Sequence, residues 1–305
     1  MSRHLTVEND DGTIRSNYVG VDDPYGDPYG TPLSTSKTSM ASLTMAVDTV
    51  NTLYCVGDLD VPANWQSGIE LKGIFIGNRV QTIGNSAFSN IYLSTIENSL
   101  VLPKTLTSIG DSAFRGSKFQ GTLTIPDSVT YIGEYAFLNS FVSGVASPFN
   151  LTIPAGITEI DIGAFQSCTA INGTLMIPGN ITTIYTSAFS GDFNITGLDI
   201  QDGVLVIGDS AFDNCYGITT INIPSSVTLI DENAFGYCSG ITEIYADVEY
   251  SVWNGAEILL GAGSVSSKLY VPADKIAGYG GAGYSGFQYF EGTVEEWTSY
   301  PDPMP

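Results

Sequence analysis

The chain has 305 residues, with 32 acidic side chains against 10 basic ones and a formal net charge of −22. That balance argues against a nucleic-acid partner, which needs clustered Lys and Arg, and against docking on anionic lipid. Hydrophobic residues reach 43%, so the chain is no disordered polyanion, yet no apolar run approaches the roughly 18 residues of a membrane helix, and no membrane insertion is expected.

Residues 1–40 read as an extended N-terminal arm. The opening MSRHLTVENDDG has no apolar h-region, so no signal peptide is expected. Further along, VDDPYGDPYGTP repeats Asp-Pro-Tyr-Gly. Pro fixes φ and Gly admits positive φ, so each copy is a turn. Two readings stand: a poorly packed arm, or an arm that orders on a partner through Tyr18, Tyr25 and Tyr29, since tyrosine is favoured at interfaces. Residues 41–70 form an N-terminal cap. TLYCVGDLDVPANW supplies a strand that covers the first coil, because an open solenoid end would aggregate.

From residue 71 to 246 the chain repeats. An Ala-Phe dipeptide recurs with Phe at 88, 114, 137, 165, 189, 212 and 235, in steps of 26, 23, 28, 24, 23 and 23 residues. Five places before each Phe stands Ile, from Ile83 to Ile230. Branched apolar residues also stand eight, twelve and fourteen places before it, as in Val129, Ile125 and Leu123. Pro follows the fourteen-twelve pair except where Gly77 and Gln201 replace it. A pattern such as Leu123-Thr-Ile125 alternates inward and outward, which is a short strand, and Pro, lacking an N–H, ends it. No single unit buries its own apolar face. Stacking sets Ile on Ile and Phe on Phe and makes one continuous core, with a tight turn at each alanine.

The outward strand column reads Phe75, Val101, Thr124, Thr152, Met176, Asp199 and Asn222. It is either a contact face for a protein or glycan or a plain solvated sheet. The 28-residue step contains the insertion NSFVSGVASPFN, 139–150. Insertions in solenoids map to loops on one face, so Phe141 and Phe149 belong either to a binding loop or to a simple bulge.

The hexamer IGDSAF occurs twice, and Gly-Asp-Ser opens a hydrolase motif. Such a serine needs a histidine base, and the sole histidine is His4, outside the array. Ser112 and Ser210 also share their repeat position with Ser86, Tyr135, Gly163, Ser187 and Asn233. The motif is therefore read as structural, no catalytic residue is assigned, and no enzyme is expected. Asp111, Glu134, Asp209 and Glu232 make an acidic column that Asn85, Ile162 and Thr186 interrupt, and no Asp-x-Asp loop accompanies it. A solvated turn edge is favoured over a calcium site. Cys168, Cys215 and Cys238 each lie three places after a Phe and read as small core thiols, a Cys215–Cys238 disulfide being the alternative. Cys55 has no evident partner. Without a CxxC pair, zinc is not expected, and no cofactor motif is present.

Residues 247–293 form a C-terminal cap, in which LYVPADKIAGYGGAGYSGFQYF holds a strand and a short helix with Tyr. Residues 294–305 read as a tail, since Asp-Pro and Met-Pro disfavour helix.

The segment CYGITTINIPSSVTLIDENAF, Cys215 to Phe235, resembles the unit of the BspA-like leucine-rich repeats, with Asp231 at a usual glycine. The resemblance spans roughly Leu71 to Tyr245, and the C-terminal segment is similar to the end of many such arrays. It implies a mainly β leucine-rich-repeat solenoid of about seven 23-residue coils with caps at both ends. It also implies a non-enzymatic surface protein of adhesion and protein contact. Combined with the absent signal peptide and the turn-rich arm, the expected role is a phage virion component: a surface decoration, fibre or tail-associated adhesin. The arm would bind capsid or tail proteins and the repeat face a host receptor or glycan. The alternative is a cell-surface adhesin of a bacterium or protist.

Overall fold

The repeats fold as coils with a short strand on two sides and a turn around the Ala-Phe dipeptide, except that the coil of Phe165 has a strand only at Glu159–Ile160. The computed structural model describes residues 5–8, 14–18, 44–47, 52–56, 73–77, 80–91, 100–119, 122–142, 148–253, 266–280 and 292–297. The chain divides into two units, Met1–Ser147 and Pro148–Pro305.

In the first unit, Leu5–Glu8 pairs antiparallel with Ile14–Tyr18, within the stretch expected to be an extended arm. Thr44–Val47 runs antiparallel to Thr52–Val56, which pairs in parallel with Gly73–Ile76. The strand expected in TLYCVGDL thus lies against the first repeat strand. Two parallel ladders follow: Leu100–Val101 with Leu123–Thr124, and Thr82–Ile83 with Ser108–Ile109 and Tyr131–Ile132.

The second unit repeats this plan at greater length. One ladder joins Glu159–Ile160, Thr183–Ile184, Val206–Ile207 and Leu229–Ile230. The other is a parallel sheet of six strands: Gly173–Ile177, Ile195–Ile200, Thr220–Ile223, Glu243–Ala246, Lys268–Pro272 and Thr293–Trp297. The fold is mainly β, a parallel β-solenoid of leucine-rich-repeat type. Where proline is replaced by Gln201, its N–H donates to the Ile177 carbonyl at 2.9 Å, a bond that proline cannot make.

The inward columns are closed to solvent. Leu175, Leu198, Ile221, Ile244, Leu269 and Val294 lie in register across the six strands and are buried. The Phe rings form a second column. In the first unit Phe88, Phe114 and Phe137 stack at 5.3 Å per step. In the second, Phe165, Phe189, Phe212 and Phe235 stack at 5.4, 5.4 and 5.7 Å. Each such pair adds about 0.5–1.5 kcal/mol beyond the area it buries.

The turn has a rule that explains its composition. Two places before each Phe the backbone is left-handed, with φ between 53 and 56°, at Ser86, Ser112, Tyr135, Gly163, Ser187, Ser210 and Asn233. Two places after it the backbone is left-handed again, with φ between 53 and 81°, at Asn90, Gly116, Asn139, Ser167, Gly191, Asn214 and Tyr237. For a non-glycine residue this conformation costs roughly 1–2 kcal/mol. Inter-coil hydrogen bonds hold it in place. Ser112 N–H donates to the Glu134 carbonyl and Gly116 N–H to the Leu138 carbonyl, both at 2.7 Å. Between them Phe114 N–H donates to Ala136 at 2.8 Å. Any side chain beyond Cβ at the alanine would enter this closed turn, and every alanine of the column is fully buried.

At the C-terminal end, Lys268–Pro272 leads into a 3-10 turn, Ile276–Tyr279, as the sequence suggests. Tyr279 is buried; its hydroxyl donates to the Val248 carbonyl at 2.8 Å and accepts from the Trp253 indole at 2.7 Å. Lys275 Nζ binds both the carboxylate of Asp247, at 2.5 Å, and its carbonyl, at 2.7 Å. Val294 to Trp297, expected within the tail, belong to the last strand. Val294 continues the buried column of Ile244 and Leu269 there. Among the described residues no helix is long and apolar enough to cross a membrane.

Candidate binding face

The six-stranded sheet of the second unit turns one face outward. Its register aligns Met176, Asp199, Asn222, Tyr245, Tyr270 and Glu295 in one column. Beside it run Thr174, Gly197, Thr220, Glu243, Lys268 and Thr293. Strand alternation produces this face: from Met176 to Tyr270 each residue of the first column lies between two buried ones, as in Ile221-Asn222-Ile223.

The face changes character along its length. Met176 is 55% exposed. Asp199 is only 5% exposed, because the Gln201 amide donates to one carboxylate oxygen at 2.7 Å and the Asn222 amide to the other at 3.1 Å. Farther on the surface becomes aromatic. Tyr245 and Tyr270 stack at 4.8 Å with planes 10° apart, and Trp297 meets Tyr245 edge-on at 6.0 Å. Lys268 lies over the Tyr270 ring at 5.9 Å, and the Tyr245 hydroxyl donates to Glu243 at 3.1 Å. Partial burial, with the Glu243 carboxylate beside it, pushes the Tyr245 hydroxyl up to about 12.

The residues expected to bind do not all reach a surface. In the first unit Val101 and Thr124 are exposed on adjoining strands. In the second Thr152 and Met176 are exposed. Phe141 and Phe149 are not: Phe141 is buried and stacks on Phe119 at 5.2 Å, and Phe149 is buried and bridged to Ile171. The insertion's aromatic residues are core, because each end of the insertion continues the coil it leaves or enters. Tyr18 ends the Ile14–Tyr18 strand and Phe75 lies in Gly73–Ile76. Tyr25, Tyr29 and His4 lie outside the described residues.

Ser112 and Ser210 are left-handed turn residues, and the Ser210 hydroxyl donates to its neighbour Asp209 at 3.0 Å. Asp111 accepts from the Glu134 N–H at 3.2 Å and from the Tyr131 hydroxyl at 3.0 Å, so the acidic edge ties coils together. Cys168, Cys215 and Cys238 are buried, and Cys215 and Cys238 are thiols rather than a disulfide. The Cys215 and Cys238 thiols donate to the carbonyls of Phe189 and Phe212 at 3.2 and 3.1 Å, and burial pushes both well above the ordinary thiol range.

Sequence reasoning missed Tyr245, Tyr270 and Trp297 because the Ala-Phe anchor stops at Phe235. The signal was nonetheless present. Tyr245 lies 23 residues after Asn222, at the same place in an Ile-x-Ala frame.

Short parallel strands, a stacked Phe column and an outward sheet face define the class as a leucine-rich-repeat solenoid. The model of the BspA-type leucine-rich repeat region matches residues 62–150 and 146–252, in six copies. The chain belongs to this family. No curated protein matches it. Among solved structures, it is similar to a leucine-rich repeat protein from Bacteroides ovatus. The identity is 18% over 85% of this chain and 74% of that one, with a TM-score of 0.48. It is also similar to the pneumococcal vaccine antigen PcpA, at 16% over 79% and 71% and a TM-score of 0.43. A leucine-rich cell surface protein from Faecalibacterium prausnitzii is 16% identical over 97% and 94%, with a TM-score of 0.37.

Proposed function

We propose that the chain is a non-enzymatic attachment module that binds a protein surface through the outward sheet face of its second unit. The observation that carries this reading is the Tyr245–Tyr270–Trp297 cluster, with exposed Met176 three strands away on the same sheet. Tyrosine, tryptophan and methionine are the side chains enriched in contact surfaces, and tyrosine and tryptophan dominate their binding energy. Lys268 and Glu243 supply a polar fringe. The net charge of −22 favours a neutral or basic partner.

Of the two settings expected from the sequence, family membership supports the cell surface. The virion setting rested on the arm, and Tyr25 and Tyr29 lie outside the described residues.

The test is adhesion of beads coated with the full chain to extracellular-matrix proteins, mucin and cell monolayers. Wild-type beads are expected to be retained on at least one surface. Tyr245→Ser, Tyr270→Ser and Trp297→Ser together should release them, while Tyr237→Ser, on the turn side, should not. Periodate treatment of the surface separates the sources: retention that survives it is to protein, and retention that it abolishes means a glycan and overturns the protein reading. Equal retention of the triple variant, or none on any surface, also overturns it.

A further inference from the structure

Three places after the anchor Phe, the coils carry a column of short side chains that donate a hydrogen bond backward. In the first unit the Ser117 hydroxyl donates to the Phe88 carbonyl, and the Ser140 hydroxyl to the Phe114 carbonyl at 2.5 Å. In the second the Cys215 and Cys238 thiols do the same to Phe189 and Phe212. Each donor thus binds the Phe carbonyl of the coil before it.

Asp192 occupies this position on the coil that follows Phe165. It is fully buried, and neither carboxyl oxygen has a hydrogen-bond partner. A carboxylate here would face a carbonyl oxygen with nothing to donate, and an unpaired buried charge is among the costliest groups a core can hold. A carboxylic acid has the one O–H that the position calls for.

We propose that Asp192 is a neutral carboxylic acid in the folded protein at neutral pH, donating to the Phe165 carbonyl, and that its ionisation loosens this coil. The second unit thereby carries a joint closed by a proton. Burial drives the group well above the ordinary carboxylate range, and the nearby Cys168 backbone opposes this only in part. The titratable side chains facing it are Cys168 on the coil before and Cys215 on the coil after. Cys215 is itself influenced by Asp192, Asp213 and Cys238, and no Lys or Arg acts on Asp192. On these coils only the Cys168 backbone favours the ionised form, and burial outweighs it.

The sign follows from linkage. The folded pKa lies above the unfolded one, so stability is fully present below the unfolded value and is lost as pH rises through the folded value. Serine, the residue of this column in the first unit, keeps the donor and has no charge to lose. Asparagine keeps the shape with a neutral donor.

Infrared spectroscopy of the wild-type chain tests the protonation directly, with no dependence on a variant folding. A protonated-carboxyl carbonyl band is expected near neutral pH and should be absent from Asp192→Asn and Asp192→Ser. Hydrogen exchange tests the joint. From mildly acidic to alkaline pH, protection within residues 175–197 should fall further in wild type than in Asp192→Ser, while the Phe235 coil behaves alike in both. Absence of the band at neutral pH overturns the protonation. A pH-independent difference in protection between the two proteins overturns the joint.

Discussion

The rings of Phe189 and Phe212 lie 5.4 Å apart with planes only 3° from parallel, on coils one repeat apart. Phe212 is stacked on its other side by Phe235, so it is an interior member of the column. Phe212→Ala removes a fully buried ring with two aromatic neighbours. We expect a loss of about 3–5 kcal/mol, the usual cost of a buried Phe→Ala change. Phe212→Leu should cost less because it leaves a smaller cavity. Denaturant unfolding of both variants, followed by far-ultraviolet circular dichroism, measures the difference.

Ser210 separates the structural reading of IGDSAF from the catalytic one. Its φ is 55°, and its hydroxyl bonds only to the neighbouring Asp209 among the hydrogen bonds it is seen to make. Ser210→Gly should leave stability unchanged or slightly higher, since glycine adopts this φ freely. Ser210→Val should lose roughly 1–2 kcal/mol, because a β-branched residue resists the left-handed region. Melting temperatures of the two variants check the order. Val equal to Gly would mean that the turn is not held in this conformation.

Cys215 and Cys238 should tolerate serine better than valine. A hydroxyl can repeat the bond to the preceding Phe carbonyl, as Ser117 and Ser140 do. Valine has the right bulk but no donor. Cys215→Val leaves a buried carbonyl short of one partner and should cost about 1–3 kcal/mol. Both native thiols are buried and pushed upward, so the thiolate fraction near neutral pH is small. A thiol reagent should therefore modify them only as fast as the second unit opens. Rapid modification of Cys215 or Cys238 in the native chain would contradict the buried column.

How much of this was legible in sequence depends on what the repeat fixes. The inward columns were legible because burial leaves few choices: Ile five before the Phe and Ala one before it never vary. The two left-handed positions were harder. Asn90, Gly116, Asn139, Gly191 and Asn214 do carry the asparagine-or-glycine preference two places after the Phe. Two places before it only Gly163 and Asn233 do, since inter-coil bonding overrides local preference at the other five. Phe141 and Phe149 looked like loop residues because length alone marked the insertion, and length does not tell which residues turn inward. Asp199 looked outward and is covered, because two amides from neighbouring positions close over it. The aromatic end of the face was hidden by reliance on the Ala-Phe anchor, which the last strands do not need once the sheet has begun.

Tyr245 gives the face a pH signature of its own. Its hydroxyl is pushed up to about 12, first by partial burial and then by the Glu243 carboxylate, to which it donates at 3.1 Å. Tyr270, stacked on it, adds in the same direction. The folded pKa exceeds the unfolded one, so the contribution of this hydroxyl to stability is present below pH 10 and is lost as pH rises through about 12. Ultraviolet titration of the phenolates should show one late-ionising tyrosine fewer in Tyr245→Phe, while the buried Tyr279 still ionises late. Glu243→Gln should move the Tyr245 step part of the way down and no further, because removing the charge leaves the burial in place. A complete return to the ordinary tyrosine value in Glu243→Gln would mean that the carboxylate alone raises it and that the ring lies open to solvent. No difference between wild type and Tyr245→Phe in the late step would mean that the Tyr245–Glu243 bond does not form, and the polar edge of the proposed contact face would lose its arrangement.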